Sequence, residues 1–103
     1  MKKANRRKNL EKELQKLNVG IVCQFGSTVQ GASTLNSDVD LGIVFADFHV
    51  PDNLLRIHDD LYILFSGIYP TREVDIVFLQ TSHLTLQLNV INHGRVIYQV
   101  SPV

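Results

Sequence analysis

Short runs rich in β-branched residues alternate along this chain with segments of helical period, and that alternation leaves few architectures open. Val19 to Phe25, Val39 to Phe45, Glu73 to Leu79 and Arg95 to Gln99 read as strands. Leu10, Leu14 and Leu17 fall at i, i+4 and i+7, so the first segment reads as a helix with an apolar stripe only in its second half. Leu54, Ile57, Leu61, Leu64, Phe65 and Ile68 give a longer helix that Pro51-Asp52 opens, and Leu84, Leu88 and Ile91 give a third over residues 82–92. Asn18 and Gly20 end the first helix, and Gly94 ends the last. Strands that alternate with helices must bury their apolar faces against one another. The expected fold is therefore α/β (α+β): a small mixed sheet flanked by helices. Only about a dozen residues separate the first two strands, which leaves their relative direction open.

A length of 103 residues supports one domain. Residues 1–18 form a basic N-terminal helix, and residues 19–103 form the body. The arm holds seven Lys and Arg against Glu11 and Glu13, whereas the body holds Arg56, Arg72 and Arg95 against eight carboxylates. A basic arm on an acidic body points either to a solvated helix face or to contact with nucleic acid. No apolar run approaches the roughly 18 residues that cross a bilayer, and the basic N-terminus has no apolar stretch behind it to make a secretory signal. The lone Cys23, inside an apolar strand, reads as a buried, reduced thiol of a cytoplasmic protein. One cysteine also rules out a cysteine-rich zinc site.

The residues that resist a purely structural reading are Asp38, Asp40 and Asp75. Asp38-Val39-Asp40 puts two carboxylates at i and i+2 of an apolar strand, on one face, with Cα atoms roughly 6.5–7 Å apart. Two such groups raise each other's pKa unless a cation sits between them. Asp75, in Val74-Asp75-Ile76-Val77, is a further carboxylate within an apolar strand. If the strands are neighbours in register, three hard oxygen ligands converge without His or Cys, a set suited to Mg²⁺ or Mn²⁺. The plain alternative is a turn residue at a strand edge. His49, His58, His83 and His93 have no paired metal-ligand spacing, and Ser33, Thr34 and Ser37 have no His–Asp pair to make them nucleophiles.

Gly26-Ser27 ends the first strand. A Gly-Ser step that enters a helix offers free N–H groups and a hydroxyl to an anion, with Ser27 or Thr28 as N-cap. Taken alone it is an ordinary turn. Its interval to Asp38-Val39-Asp40 resembles the GSx10DxD signature of nucleotidyltransferases with the DNA polymerase beta fold. The string Gly26-Ser27-Thr28-Val29-Gln30-Gly31 with Ser37-Asp38-Val39-Asp40-Leu41 is similar to the minimal nucleotidyltransferase (MNT) branch. Val74-Asp75-Ile76 matches that family's third acid, and Val90 to Tyr98 matches its closing helix, glycine and strand. Gln30 stands where many members carry arginine.

The resemblance implies a minimal nucleotidyltransferase domain over 19–103, with Asp38, Asp40 and Asp75 as catalytic and metal-binding residues and Gly26 and Ser27 as nucleotide-binding residues. It implies Mg²⁺ or Mn²⁺ as cofactor and ATP or another NTP as substrate. The implied reaction is transfer of an NMP to an acceptor hydroxyl. A chain this short leaves little room for an acceptor-binding domain. The resemblance supplies a partner instead: MNT proteins pair with HEPN-type RNase toxins as antitoxins, some by adenylylating a tyrosine. A hetero-oligomer is then expected, with Tyr62, Phe48 and Ile68 as candidate contacts. Two alternatives stay open: an antitoxin that inhibits by binding alone, and a transferase that modifies nucleic acid held by the basic arm.

Overall fold

The computed structural model describes residues 3–25 and 38–100, the side chains of residues 3–8 and of Phe48 apart. Helix α1 (Lys3–Lys16) leads through a two-residue turn into β1 (Val19–Phe25). There follow β2 (Val39–Phe45), α2 (Leu54–Ile68), β3 (Val74–Phe78), α3 (Leu84–His93) and β4 (Arg95–Gln99). Short 3-10 turns at Ala46–Phe48 and Leu79–Thr81 follow β2 and β3. Asn18, at a φ of 60°, makes the tight exit from α1, and its carbonyl accepts the Ala46 N–H at 2.8 Å.

The sheet is mixed, in the order β3-β2-β1-β4. The direction the sequence left open is antiparallel for β1 and β2, β1 and β4 also run antiparallel, and β2 and β3 are parallel across α2. Alternation along each strand divides the buried residues between two faces. One face carries Val22, Val39, Leu41, Ile43, Phe45, Val74, Ile76 and Tyr98 and packs against Leu14 of α1 and Ile57, Leu61 and Phe65 of α2. This is the main core, and its strongest anchors, Leu14, Leu41, Ile43 and Leu61, have no solvent exposure. The other face carries Phe25, with Cys23, Val44 and Val77 beside it, under Leu79 and Val90 and Leu86 of α3.

Several expectations need correction. The helix expected from Pro51-Asp52 begins at Leu54, and the one expected over 82–92 spans Leu84–His93. Leu84, Leu88 and Ile91, the one apolar face from which α3 is read, are 66%, 49% and 76% exposed, so that face is not the inward one. The helix is anchored instead by Val90 and Leu86. The i, i+4, i+7 stripe is real, but α3 holds no Asp, Glu, Lys or Arg, so its period could not say which apolar face was inward. Ile68, placed on the apolar face of α2 and also among the candidate contacts, is 44% exposed at the last residue of the helix, and Tyr62 is 39% exposed. Cys23 is half-buried, not buried, and burial raises its thiol above the usual range.

Candidate active site

Asp40 and Asp75 share the face opposite the main core, and Asp38 stands just before β2. Asp40 alternates with Val39 and Leu41, which point into that core, so its side chain stands on the α3 side of the sheet. Asp40 and Asp75 are register partners across the parallel β2–β3 pair, and Val39 pairs with Val74 below them. Partners in neighbouring strands have backbones about 4.8 Å apart and project to the same face. Asp38 lies just before β2, and the Val39 N–H that follows it donates to the Glu73 carbonyl at 2.8 Å, which ties the starts of both strands together.

Electrostatics agree with this placement. The Asp40 carboxyl is raised above the ordinary range, first by its burial, then by the negative charges of Asp75 and Asp38. Asp40 is half-buried, whereas Asp38 and Asp75 are exposed at the rim. The central acid is thus the one that pays for burial, and its neighbours make that worse. As they stand, the three side chains are not closed into a ligand set: among the described residues, no group of three His, Cys, Asp or Glu is positioned to hold an ion. The donor chemistry nevertheless fits a hard divalent cation, because the three groups are carboxylates and their mutual repulsion is relieved by positive charge.

The surroundings explain why the site is open. Gly42 follows Asp40 on the same face, and a Cβ there would come within 2.8 Å of Leu79 Cδ1. Leu79 therefore lies directly on the sheet at Gly42 and stops the α3-side cluster short of the acids. Phe25, the last described residue of β1, is the register partner of Asp40 and closes that cluster from the other side. Gly26 and Ser27, the expected nucleotide-binding residues, lie outside the described residues, as does Gln30. Two cavities, of about 420 and 360 Å³, lie between α1 and α2, lined by Leu17 and Asp60 among others, on the far side of the sheet from the acids.

One group of residues was not singled out from the sequence. Gln24 is a buried polar residue inside β1, and Arg95 Nη2 donates to its Oε1 at 3.3 Å. Tyr69, at the end of α2, is half-buried; burial raises its hydroxyl pKa, while Arg95 and Arg72 pull it down. The available signal was a glutamine within Val19 to Phe25, a polar break in an apolar strand, together with an arginine opening the last strand.

A family model described as "Polymerase beta, Nucleotidyltransferase" matches residues 8–102. The chain belongs to this nucleotidyltransferase family. Solved structures agree on the fold. A toxin–antitoxin structure with AMP-PNP superposes with a TM-score of 0.69 at 24% identity, covering 96% of this chain and 75% of that one. A minimal nucleotidyltransferase gives a TM-score of 0.65 at 25% identity, covering 89% of each chain. A complex of tri-AMPylated HEPN toxin with MNT antitoxin from Shewanella oneidensis gives 0.60 at 19% identity, covering 94% and 72%. No curated protein matches the sequence. Among the described residues of this nucleotidyltransferase, no helix is long and apolar enough to cross a membrane.

Proposed function

We propose that this nucleotidyltransferase transfers AMP from ATP to a hydroxyl on a partner protein, and that it acts as the antitoxin of a HEPN-type RNase toxin. The observation that carries the transferase reading is the facing pair Asp40 and Asp75, with Asp38 beside them, on one face of the sheet. The toxin partner is supported by structural neighbours solved as toxin–antitoxin complexes, one with an AMPylated HEPN toxin.

Asp38, Asp40 and Asp75 would hold the divalent ions. When bound, these ions supply Lewis-acid stabilisation of the triphosphate and lower the pKa of the acceptor hydroxyl. Asp40, half-buried between the other two, fixes the position of the ligand set; Asp38 and Asp75, exposed at the rim, remain within reach of an arriving substrate. Gly26 and Ser27 are proposed to hold the β- and γ-phosphates through backbone N–H groups and the Ser27 hydroxyl. The acceptor oxygen bonds to the α-phosphorus, the bond from that phosphorus to the bridging oxygen breaks, and pyrophosphate departs in line. In this reading Asp75, when not a metal ligand, takes up the hydroxyl proton. The domain boundary at residues 18 and 19 follows the same reading, with α1 as an addition to the transferase domain 19–103.

The test is incubation with α-labelled ATP, Mg²⁺ and the protein encoded by the adjacent reading frame. Label should appear on a tyrosine of that protein, and Asp40→Asn should abolish it. If the double variant Asp38→Asn/Asp40→Asn still silences the partner fully, inhibition rests on binding alone and the catalytic reading fails.

A further inference from the structure

Leu84, Leu88 and Ile91 form a ridge along the outer side of α3, in a helix that holds no Asp, Glu, Lys or Arg. Large apolar side chains at i, i+4 and i+7 with no charge among them make one contiguous patch, unlike singly scattered surface residues. The inner side of the same helix is already in use, since Val90 and Leu86 pack with Phe25 and Leu79.

The ridge leads to the acids. β3 begins beside them, at Val74 and Asp75, and ends at Phe78, opposite Ile43. α3 then returns the chain to Arg95, the partner of Gln24, and the next residue of β1 is Phe25, the partner of Asp40. The ten residues of α3 span about 15 Å, which puts Ile91, in the last turn, at the acid end. Val96, opposite Cys23 on the α3 side of β4 and 52% exposed, continues the apolar surface there. Asp40 and Asp75 project to this same side of the sheet, so a body seated on α3 stands beside them.

Size and charge say what kind of body that is. Half of a cylinder about 15 Å long and about 5 Å in radius presents on the order of 250 Å². A stable protein–protein interface takes about 800 Å² from each partner. An occupant that stays bound therefore extends past the ridge, over Val96 and onto the rim where Asp38 and Asp75 are exposed. Residues 19–103 hold three arginines against eight carboxylates. A second copy would bring the same acidic body to that rim and be repelled, whereas a protein with cations beside its apolar contact is attracted.

Resting on the nucleotidyltransferase reading, we propose that Leu84, Leu88, Ile91 and Val96 are the docking surface for the protein that carries the acceptor hydroxyl. That partner meets α3 with an apolar helix face, whose grooves take the i, i+4 ridge, and reaches over the acids with flanking Lys or Arg. Docking on the acids' own side of the sheet delivers the hydroxyl to them. Tyr62 and Ile68, the candidate contacts on α2, belong to the helix that packs on the other face.

The test uses the full chain and the protein encoded by the adjacent reading frame. Titration calorimetry measures their affinity, and α-labelled ATP with Mg²⁺ measures transfer. The variants are Leu88→Gln/Ile91→Gln, Ile91→Gln alone and, on α2, Leu55→Gln/Ile63→Gln. Leu55 and Ile63 are as exposed, at 79% and 71%, but lie on α2. The α3 pair is expected to weaken partner binding at least tenfold and Ile91→Gln about threefold, with the loss of transfer in KM and not in kcat. The α2 pair should bind like the wild type. Unfolding midpoints establish that each variant folds, and Ile91→Gln decides if the pair does not. Wild-type affinity in folded α3 variants overturns the docking surface, as does an equal loss in the α2 pair. A wild-type dimer in sedimentation that the α3 pair breaks up, with partner affinity unchanged, assigns the ridge to a second copy and overturns it too. Binding without transfer in the wild type overturns the transferase reading while the affinities still decide the surface. Neither binding nor transfer overturns both.

Discussion

Asp40 and Asp75 are register partners on adjacent parallel strands and project from the same face of the sheet. Like charges placed so closely destabilise the fold that holds them. The raised Asp40 carboxyl carries a definite sign: protonation is easier in the folded chain than in the unfolded one. Its contribution to stability is full below the ordinary carboxylate range and is lost as pH rises through its raised folded value. At neutral pH without divalent ions, Asp40→Asn should therefore raise Tm. The rise should fall below the ~4–8 °C that 1 kcal/mol is worth in a domain of this size. Differential scanning fluorimetry at acid and neutral pH checks it. An unchanged or lower Tm at neutral pH would contradict the repulsion.

Gly42 should tolerate no side chain without loss. A Cβ there meets Leu79 at 2.8 to 3.2 Å, so Gly42→Val should cost about 1–3 kcal/mol in urea unfolding. Because the obstacle is a side chain, Leu79→Ala in the same chain should recover part of that cost, and a fully additive double variant would refute the contact.

Gly67 and Gly94 should respond with opposite signs. Nothing lies within 4 Å of a Cβ at Gly67, inside α2, so Gly67→Ala should stabilise by about 0.5–1 kcal/mol. A Cβ at Gly94 would stand 2.5 Å from the Val90 carbonyl oxygen, the same oxygen that accepts the Gly94 N–H at 2.7 Å. Gly94→Ala should destabilise, since the obstacle is backbone. Chemical unfolding of both variants measures the contrast.

How much of this was legible in sequence depended on what carried the signal. The strands were readable because β-branched runs and period-2 burial coincide, as in Val39 to Phe45. The expectation that Asp38 and Asp40 share a face rests on that period alone. That Asp75 pairs with Asp40 does not follow from it, because the register of a parallel pair joined by a helical crossover depends on how α2 packs and on the Val39–Glu73 backbone bond, which has no sequence signature. The orientation of α3 was illegible for a related reason. Its ten residues include no Asp, Glu, Lys or Arg, so nothing marked Leu84, Leu88 and Ile91 as the outer face. The pairing of Arg95 with Gln24 was hidden too, because its two partners are 71 residues apart.

The two apolar classes of α1 and α3 should then part company under mutation. Leu14, fully buried, anchors α1 to the main core, and Leu14→Ala should cost about 2–5 kcal/mol. Ile91, 76% exposed, should accept Ile91→Gln within about 0.5 kcal/mol. A large loss at Ile91 would mean that the outer face of α3 is covered within the folded chain.

The central claim, that Asp38, Asp40 and Asp75 together hold divalent cations, is tested most directly by Mn²⁺ titration followed by electron paramagnetic resonance on the purified chain with AMP-PNP. The account predicts saturable Mn²⁺ binding that Mg²⁺ displaces and that Asp40→Asn or Asp75→Asn weakens by an order of magnitude or more. Equal binding by the wild type and both variants, or no binding by any of them, would contradict it.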